Sequence, residues 1–378
     1  MIQIDETLAK EAASIHLEAC RHYVVIRLNF LVELFDAIGN RKLRTFNRNQ
    51  DIKDEYGFST IKSMKALVFP ILADKNKFGF KEIHNCFSNG DFSCFTENQH
   101  YFQRAVKFLK IVKSDIDNIL IEKPDYLFVH YVRKWNKQKL YKDILAKVFN
   151  YEKLTGDGFK YGKKLNWDSY ALTKKLDVNV CLYCNKNWVN TVVVNGNKVT
   201  NPQLDHYFSK SDYPLLRLSF YNLIPSCETC NSRIKKRKEL NINKHIHPYT
   251  EGFDPEYYLA PSPKNTSSVF GLDDEYTISL KDDDNSYKYL KAKGSFDFFH
   301  IKDIYEQHGD IISEIYWKKA KYNLTALEDL LSYKMFKGMS IDDAYRVVFA
   351  NYLYLEDYNK RPFAKLTRDT LKHLDIIS

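Results

Sequence analysis

The sequence lacks any apolar run of the length that a membrane span requires. The nearest, residues 66–73, is short and is interrupted by Pro70. The N-terminal stretch MIQIDETLAKEAAS also lacks the basic start and apolar core of a signal peptide. We therefore expect a soluble, cytoplasmic protein with no membrane association.

Cysteines are few, and their spacing is not that of a disulfide framework. Four of the seven form two Cys-x-x-Cys pairs, which leaves Cys20, Cys86 and Cys94. An odd number without framework spacing argues against a secreted disulfide scaffold and for a reducing compartment. The chain also lacks a Gly-x-x-x-x-Gly-Lys-Ser/Thr loop, so the sequence predicts no ATP site.

The composition is that of a folded globular protein with a basic balance. The chain has 378 residues, of which 44% are hydrophobic and 15% aromatic, enough for two or three domains with sizeable cores. Its 57 basic and 48 acidic side chains give a formal net charge of +9. This excess weakly favours a polyanionic partner, because net charge influences association rather than fold.

The two cysteine pairs have the spacing of a metal site. Cys181-Leu-Tyr-Cys184 and Cys227-Glu-Thr-Cys230 each offer two thiolates on a tight turn. Two such pairs complete the tetrahedral shell of a Zn²⁺ ion and leave no open position for substrate. The sequence therefore predicts a structural zinc site, whether the protein is an enzyme or a binding module.

Between the two pairs, the sequence predicts two strands and a helix. Residues 188–200 carry β-branched side chains on both sides of Asn195-Gly196, which is a strong hairpin signal. A strand follows through Asp205-His206, the chain returns over residues 215–224, and residues 227–240 form a helix with a basic face. We expect this arrangement to bring Asp205, His206 and Asn231 close together.

These residues resemble the HNH (ββα-metal) endonuclease motif, in the variant with Asn at its last position. The resemblance is carried by Asp205-His206, then Asn222-Leu223-Ile224, then Cys227-x-x-Cys230-Asn231, and covers residues 175–249. Together with the helical periodicity of the flanking segments, it predicts an α+β fold in which mainly α-helical flanking domains surround a small treble-clef or ββα-metal zinc core.

The resemblance also implies roles for single residues. His206 is expected to be the general base, and Asn222 to fix the loop that orients it. Asp205 and Asn231 are expected to bind a catalytic Mg²⁺ or Mn²⁺ ion. Asn231 departs from the strict motif, and a neutral amide is a weaker ligand than imidazole. The expected phosphate contacts are Lys210, Arg233, Lys236 and Arg237. His245 and His247 follow closely, but we leave them out of the ligand set.

Four consecutive domains are predicted along the chain. They are an α-helical N-terminal domain (1–155), the nuclease core (156–250), a loop with a short β-meander (251–295) and an α-helical C-terminal region (296–378). Apolar periodicity predicts helices over residues 5–38, 60–69, 102–120, 139–149, 301–318, 326–336 and 344–354.

The expected function is hydrolysis of DNA by a metal-dependent HNH endonuclease. The stretch from Leu204 to Asn231 is also similar to the HNH subunits of Septu-type anti-phage systems, which act beside a separate ABC-type ATPase. Such a partner would account for the missing ATP site. Cleavage of RNA such as tRNA, and a non-catalytic zinc module that binds nucleic acid or protein, stay open as alternatives. A homo-oligomer also stays open, since one active site cuts one strand at a time.

Overall fold

A computed structural model gives the fold as a mixed α+β class, as predicted. It describes residues 1–40, 99–134, 141–162, 165–253, 257–282, 287–322, 329 and 332–377. Over these ranges the strands form four two-stranded antiparallel sheets between helices. No helix in the described part of the chain is long and apolar enough to cross a membrane.

The chain forms two compact units, and each unit combines segments that are distant in sequence. The first comprises Met1–Ala12, Tyr170–Tyr207 and Leu223–Ser378; the second comprises Ala13–Ser169 and Phe208–Asn222. This division differs from the four consecutive domains expected from the sequence. Backbone pairing is one reason, because in the first unit the N–H of Ile4 donates to the carbonyl of Pro248.

The long N-terminal helix is confirmed at Glu6–Gly39, within one residue of its predicted bounds. Asp5 caps it, since its Oδ1 accepts the N–H of Leu8 at 2.8 Å. The predicted helix over 60–69 lies outside the described residues.

The predicted helix over residues 102–120 is divided into two, Gln99–Ser114 and Ile116–Ile121. The break falls at Asp115, whose carboxylate accepts hydrogen bonds from Asn118 at 2.7 Å and from Tyr131 at 2.5 Å. Such local side-chain bonds compete with continuation of a helix. The other regular elements of the second unit are Pro124–Leu127, Phe128–Val132, Lys142–Val148, Tyr151–Thr155, the hairpin of Phe159–Tyr161 with Leu165–Trp167, and the short 3-10 helices Pro214–Leu216 and Phe220–Asn222.

A two-stranded sheet lies within residues 251–295, where a loop with a short β-meander was predicted. Tyr276–Asp282 pairs antiparallel with Tyr257–Pro263, a strand that contains Pro261 and Pro263. A two-stranded sheet consists of edge strands, where proline is tolerated because its missing N–H need not be paired. Residues from 287 onward belong to the helix Tyr287–Phe298.

The remaining helices of the first unit are mostly shorter than the sequence predicts. The helix expected over 344–354 is Ile341–Phe349; Ser340 caps it by accepting the N–H of Asp343, and Ala350 ends it in a left-handed conformation. Of the predicted helix over 326–336, residues 326–328, 330 and 331 lie outside the described residues, and Lys334–Phe336 is a short 3-10 helix. The helix predicted over 301–318 is two helices. Further helices of this unit are Thr266–Val269, Ile301–Glu306, Gly309–Tyr322, Leu355–Lys360 and Ala364–His373, and Ser169–Lys175 begins one residue before the segment Tyr170–Tyr207.

A buried ion pair fastens the last helix to the sheet of this unit. Lys365 and Asp369 lie on one face of Ala364–His373, with their charged atoms 2.9 Å apart. Lys365 also donates to the carbonyl of Tyr257, and Asp369 accepts the N–H of Leu259. Both charges are thus compensated where water is excluded.

Candidate functional site

The hairpin that precedes the candidate site forms as predicted. Val192–Val194 pairs with Asn197–Thr200, and the turn residues Asn195 and Gly196 have φ of 51° and 80°. These positive values are those of a type I′ turn, which Asn-Gly adopts at little cost.

Asp205 and His206 lie on a short strand at the centre of the candidate site. Gln203–His206 pairs antiparallel with Leu223–Ser226, so that Asp205 is opposite Ile224 and His206 is opposite Leu223. The second strand leads directly into Cys227 and the helix Thr229–Lys235. The predicted order of strand, strand and helix is therefore present.

The four cysteines meet in one buried cluster. The Sγ atoms of Cys181, Cys184, Cys227 and Cys230 all lie within 4.8 Å of one another. The first turn is closed by the N–H of Asn185, which donates to the carbonyl of Cys181, and Asn185 itself has a φ of 49°. Four converging thiols can hold one metal ion, as the spacing predicted.

The four thiols of this cluster differ in how readily they ionise. Burial raises the pKa of the Cys181 thiol, and hydrogen bonds to the other three cysteines raise the pKa of Cys230. The pKa of Cys227 is lowered because the side chain of Cys181, followed by those of Cys184 and Cys230, hydrogen-bonds to it. A metal ion in the cluster would be bound by the thiolates, which are the form that coordinates metals.

The helix after the second cysteine pair is shorter than predicted and wound as a π-helix. It spans Thr229–Lys235 rather than residues 227–240. Its N–H groups bond five residues back, as in the bond from Lys236 to the carbonyl of Asn231, and Lys236 ends it with a φ of 50°. Single π-turns are rare and occur often at functional sites.

Asp205 is engaged by two residues that our sequence analysis missed. The hydroxyl of Tyr183 donates to its Oδ2 at 2.7 Å, and the ammonium of Lys235 donates to its Oδ1 at 2.7 Å. Lys235 also donates to the carbonyl oxygen of His206 at 2.5 Å. The only sequence signal for Tyr183 was its position between two cysteines. Lys235 lies in a run of basic residues, and nothing in the sequence distinguished it from its neighbours.

The catalytic divalent ion implied by the family resemblance does not fit this arrangement. The side chains of Asp205 and Lys235 are each only 5% exposed, and the ammonium lies where a cation would approach the carboxylate. The other expected ligand, Asn231, directs its amide N–H to the side-chain oxygen of Gln203 at 3.0 Å. No step through a metal at Asp205 follows from this geometry.

Asn222 belongs to the second unit and is fully buried. Its Oδ1 accepts the N–H of Phe208 at 2.7 Å, while its Nδ2 donates to the carbonyls of Phe208 and Leu216 at 3.1 and 2.9 Å. The amide therefore closes the segment 208–222, which follows His206 in the chain.

The two histidines after the helix have structural contacts. Nδ1 of His245 accepts the N–H of Asn241 at 2.8 Å, and the ring of His247 packs against Tyr207 with centroids 4.3 Å apart. These contacts agree with leaving both residues out of the ligand set.

The four expected phosphate contacts occur in two settings. Arg233, Lys236 and Arg237 are exposed in the first unit, and Arg233 pairs with Glu228 at 3.2 Å. Lys210 lies in the second unit with its ammonium 4.7 Å from the centre of the Tyr151 ring, and partial burial lowers its pKa. The three exposed cations are on or next to the helix that carries Asn231.

Comparisons of the chain with protein-family models, with curated proteins and with solved structures gave no match. The case for a function therefore depends on the residues and geometry of the site.

Proposed function

We propose that the protein is an HNH-type endonuclease that hydrolyses phosphodiester bonds in DNA. The observation that carries the proposal is the order of the site: a strand with Asp205-His206, an antiparallel return strand, and a helix with Asn231 behind a cluster of four cysteines. We assign the cysteine cluster as the zinc site of a treble-clef core. The zinc is structural in this assignment, because four thiolates leave no coordination position open for a substrate or water.

In this proposal His206 is the general base. An unprotonated imidazole nitrogen takes a proton from water, and the water oxygen forms a new bond to phosphorus. The bond from phosphorus to the leaving sugar oxygen then breaks, and that oxygen keeps the electron pair and takes a proton from solvent. Asn222 acts as a positioning residue for the loop after His206, and Arg233, Lys236 and Arg237 contact phosphates.

The biological setting belongs to the same proposal and depends on the resemblance to Septu-type nuclease subunits. We propose a bacterial defence role in the cytoplasm with an ABC-type ATPase as partner. The formal net charge of +9 supports a polyanionic substrate.

A cleavage assay tests the proposal. Supercoiled plasmid is incubated with wild-type protein or with His206→Ala in Mg²⁺ or Mn²⁺, alone and together with the proteins encoded next to it, and tRNA is tested in parallel. We expect wild type to nick or linearise the plasmid and His206→Ala to be slower by about 100-fold or more. His22→Ala, which removes an exposed histidine of the long helix, is the matched control and keeps wild-type activity.

The proposal is overturned if His206→Ala cuts as fast as wild type while it keeps the wild-type metal content and circular dichroism spectrum. If the protein cleaves tRNA but not plasmid, its substrate is RNA and the proposed hydrolysis mechanism is unchanged.

A second candidate is a non-catalytic zinc module that binds nucleic acid. The ion pair between Asp205 and Lys235 favours this candidate, because the ammonium of Lys235 already neutralises the charge of the carboxylate that was expected to bind the metal. Binding of DNA without cleavage of any substrate, with or without the partner, would support this candidate over the nuclease.

A further inference from the structure

Lys235 is an internal cation at the carboxylate that the nuclease motif assigns to metal binding. Its ammonium lies 2.7 Å from Oδ1 of Asp205 and 2.5 Å from the carbonyl oxygen of His206. Both charged side chains are 5% exposed, so water screens their interaction poorly. The ion pair therefore links the end of the helix to both residues of the motif.

The second oxygen of Asp205 also has a partner. The hydroxyl of Tyr183 donates to Oδ2 at 2.7 Å, and Tyr183 is held by stacking on Phe299 with ring centroids 4.3 Å apart. Each carboxylate oxygen has a further lone pair, so hydrogen bonding alone leaves room for a metal. The deciding factor is charge.

A divalent cation at Asp205 would stand close to a buried ammonium. Asp205 and Lys235 together carry no net charge, and Asn231 is neutral, so these three side chains offer no net negative charge to a dication. In a poorly screened site the repulsion from the ammonium cancels much of the attraction of the one carboxylate, which leaves little to offset the cost of dehydrating a dication.

We propose that Lys235 closes Asp205 to divalent cations in the substrate-free protein, so that a metal enters only when this ion pair opens. The inference rests on the proposed function, and the metal-binding role of Asp205 is the one that the family resemblance implies. Lys235 is the last residue of its helix and precedes Lys236, whose φ is 50°, so withdrawal of one terminal side chain would free Oδ1 of the carboxylate.

Binding of Mn²⁺ to the zinc-loaded protein without nucleic acid tests this proposal. Free Mn²⁺ is followed by electron paramagnetic resonance during titration of wild type, Lys235→Met and Lys235→Gln. Both variants remove the charge, and Gln retains a hydrogen-bond donor if the Met variant fails to fold. We expect either variant to bind Mn²⁺ about tenfold more tightly than wild type or better.

Two controls assign the gain to Asp205. The double variant Asp205→Asn with Lys235→Gln must lose the new site. Lys291→Met is the matched control, because Lys291 is also a buried lysine and pairs with the carboxylate of Glu251 elsewhere in the same unit. It should leave Mn²⁺ affinity at the wild-type value.

The inference is overturned if wild type binds Mn²⁺ as tightly as a folded Lys235 variant, or if the gained site survives in the double variant. Failure of the nuclease proposal gives a different pattern. In that case no nucleic acid is cleaved by any variant, although the gain of Mn²⁺ affinity at Asp205 persists.

Discussion

The side-chain amide of Asn222 satisfies both backbone groups of Phe208, fourteen residues earlier in the chain. The two bonds have the pairing of a short antiparallel bridge, but one partner is a side chain. A third bond reaches the carbonyl of Leu216. A single buried amide thus closes the segment that follows His206.

Replacement of Asn222 by Ala should lower the free energy of unfolding by about 2 to 3 kcal/mol, because it leaves buried backbone groups without partners. Denaturant titration measures the loss. Asn118→Ala is the matched control, since Asn118 is a partly buried amide in the same unit whose side chain donates to Asp115 and Tyr126. An equal loss in both variants would contradict the special role of Asn222.

The cysteine cluster should hold one zinc ion per chain. Cys227→Ala removes one of four thiolates and should abolish stoichiometric zinc, measured by inductively coupled plasma mass spectrometry. Cys20→Ala, which removes a buried cysteine outside the cluster, should keep the metal. Zinc loss in the Cys20 variant, or full retention in the Cys227 variant, would show that the cluster is not the zinc site.

His16 should make the stability of the protein depend on pH. Burial lowers the pKa of His16 from 6.5 to about 4. Its Nδ1 accepts the indole N–H of Trp167 at 3.0 Å, and its Nε2 lies 2.7 Å from the carbonyl of Leu218, so the folded state holds the neutral ring.

Below the unfolded pKa of 6.5 the unfolded chain binds a proton that the folded chain does not, so stability falls as the pH falls towards 4. We expect a loss of about 2 kcal/mol between pH 7 and pH 5 that is absent from His16→Gln. Urea titrations of both proteins at the two pH values measure it. Parallel pH dependences of the two proteins would refute the assignment.

The exposed cations after the cysteines should set the salt dependence of nucleic-acid binding. A double variant, Lys236→Gln with Arg237→Gln, should reduce the slope of log affinity against log salt by about 2, because two fewer phosphates are neutralised. Fluorescence anisotropy with a labelled oligonucleotide gives the slope. As the control, Lys293→Gln with Lys302→Gln removes two exposed lysines that already pair with Asp297 and Glu306. An equal change in the control would indicate a general effect of charge.

Features determined by a few neighbouring residues were predicted well. The Asn195-Gly196 turn and the convergence of two Cys-x-x-Cys pairs depend on local backbone preferences and on fixed spacing. Helix ends were predicted less well, because bonds such as that from Tyr131 to Asp115 come from residues outside the helical pattern.

The sequence by itself determined the mixed α+β class, the cysteine cluster and the strand order around Asp205 and His206. Only the tertiary structure decided which charge Asp205 faces. Lys235 is thirty residues away and sits in a basic run where most side chains are exposed. The helix geometry and the position of its last residue decide which lysine of the run points into the protein. The buried acceptors that tertiary packing places nearby decide it as well, and neither can be read from the local sequence.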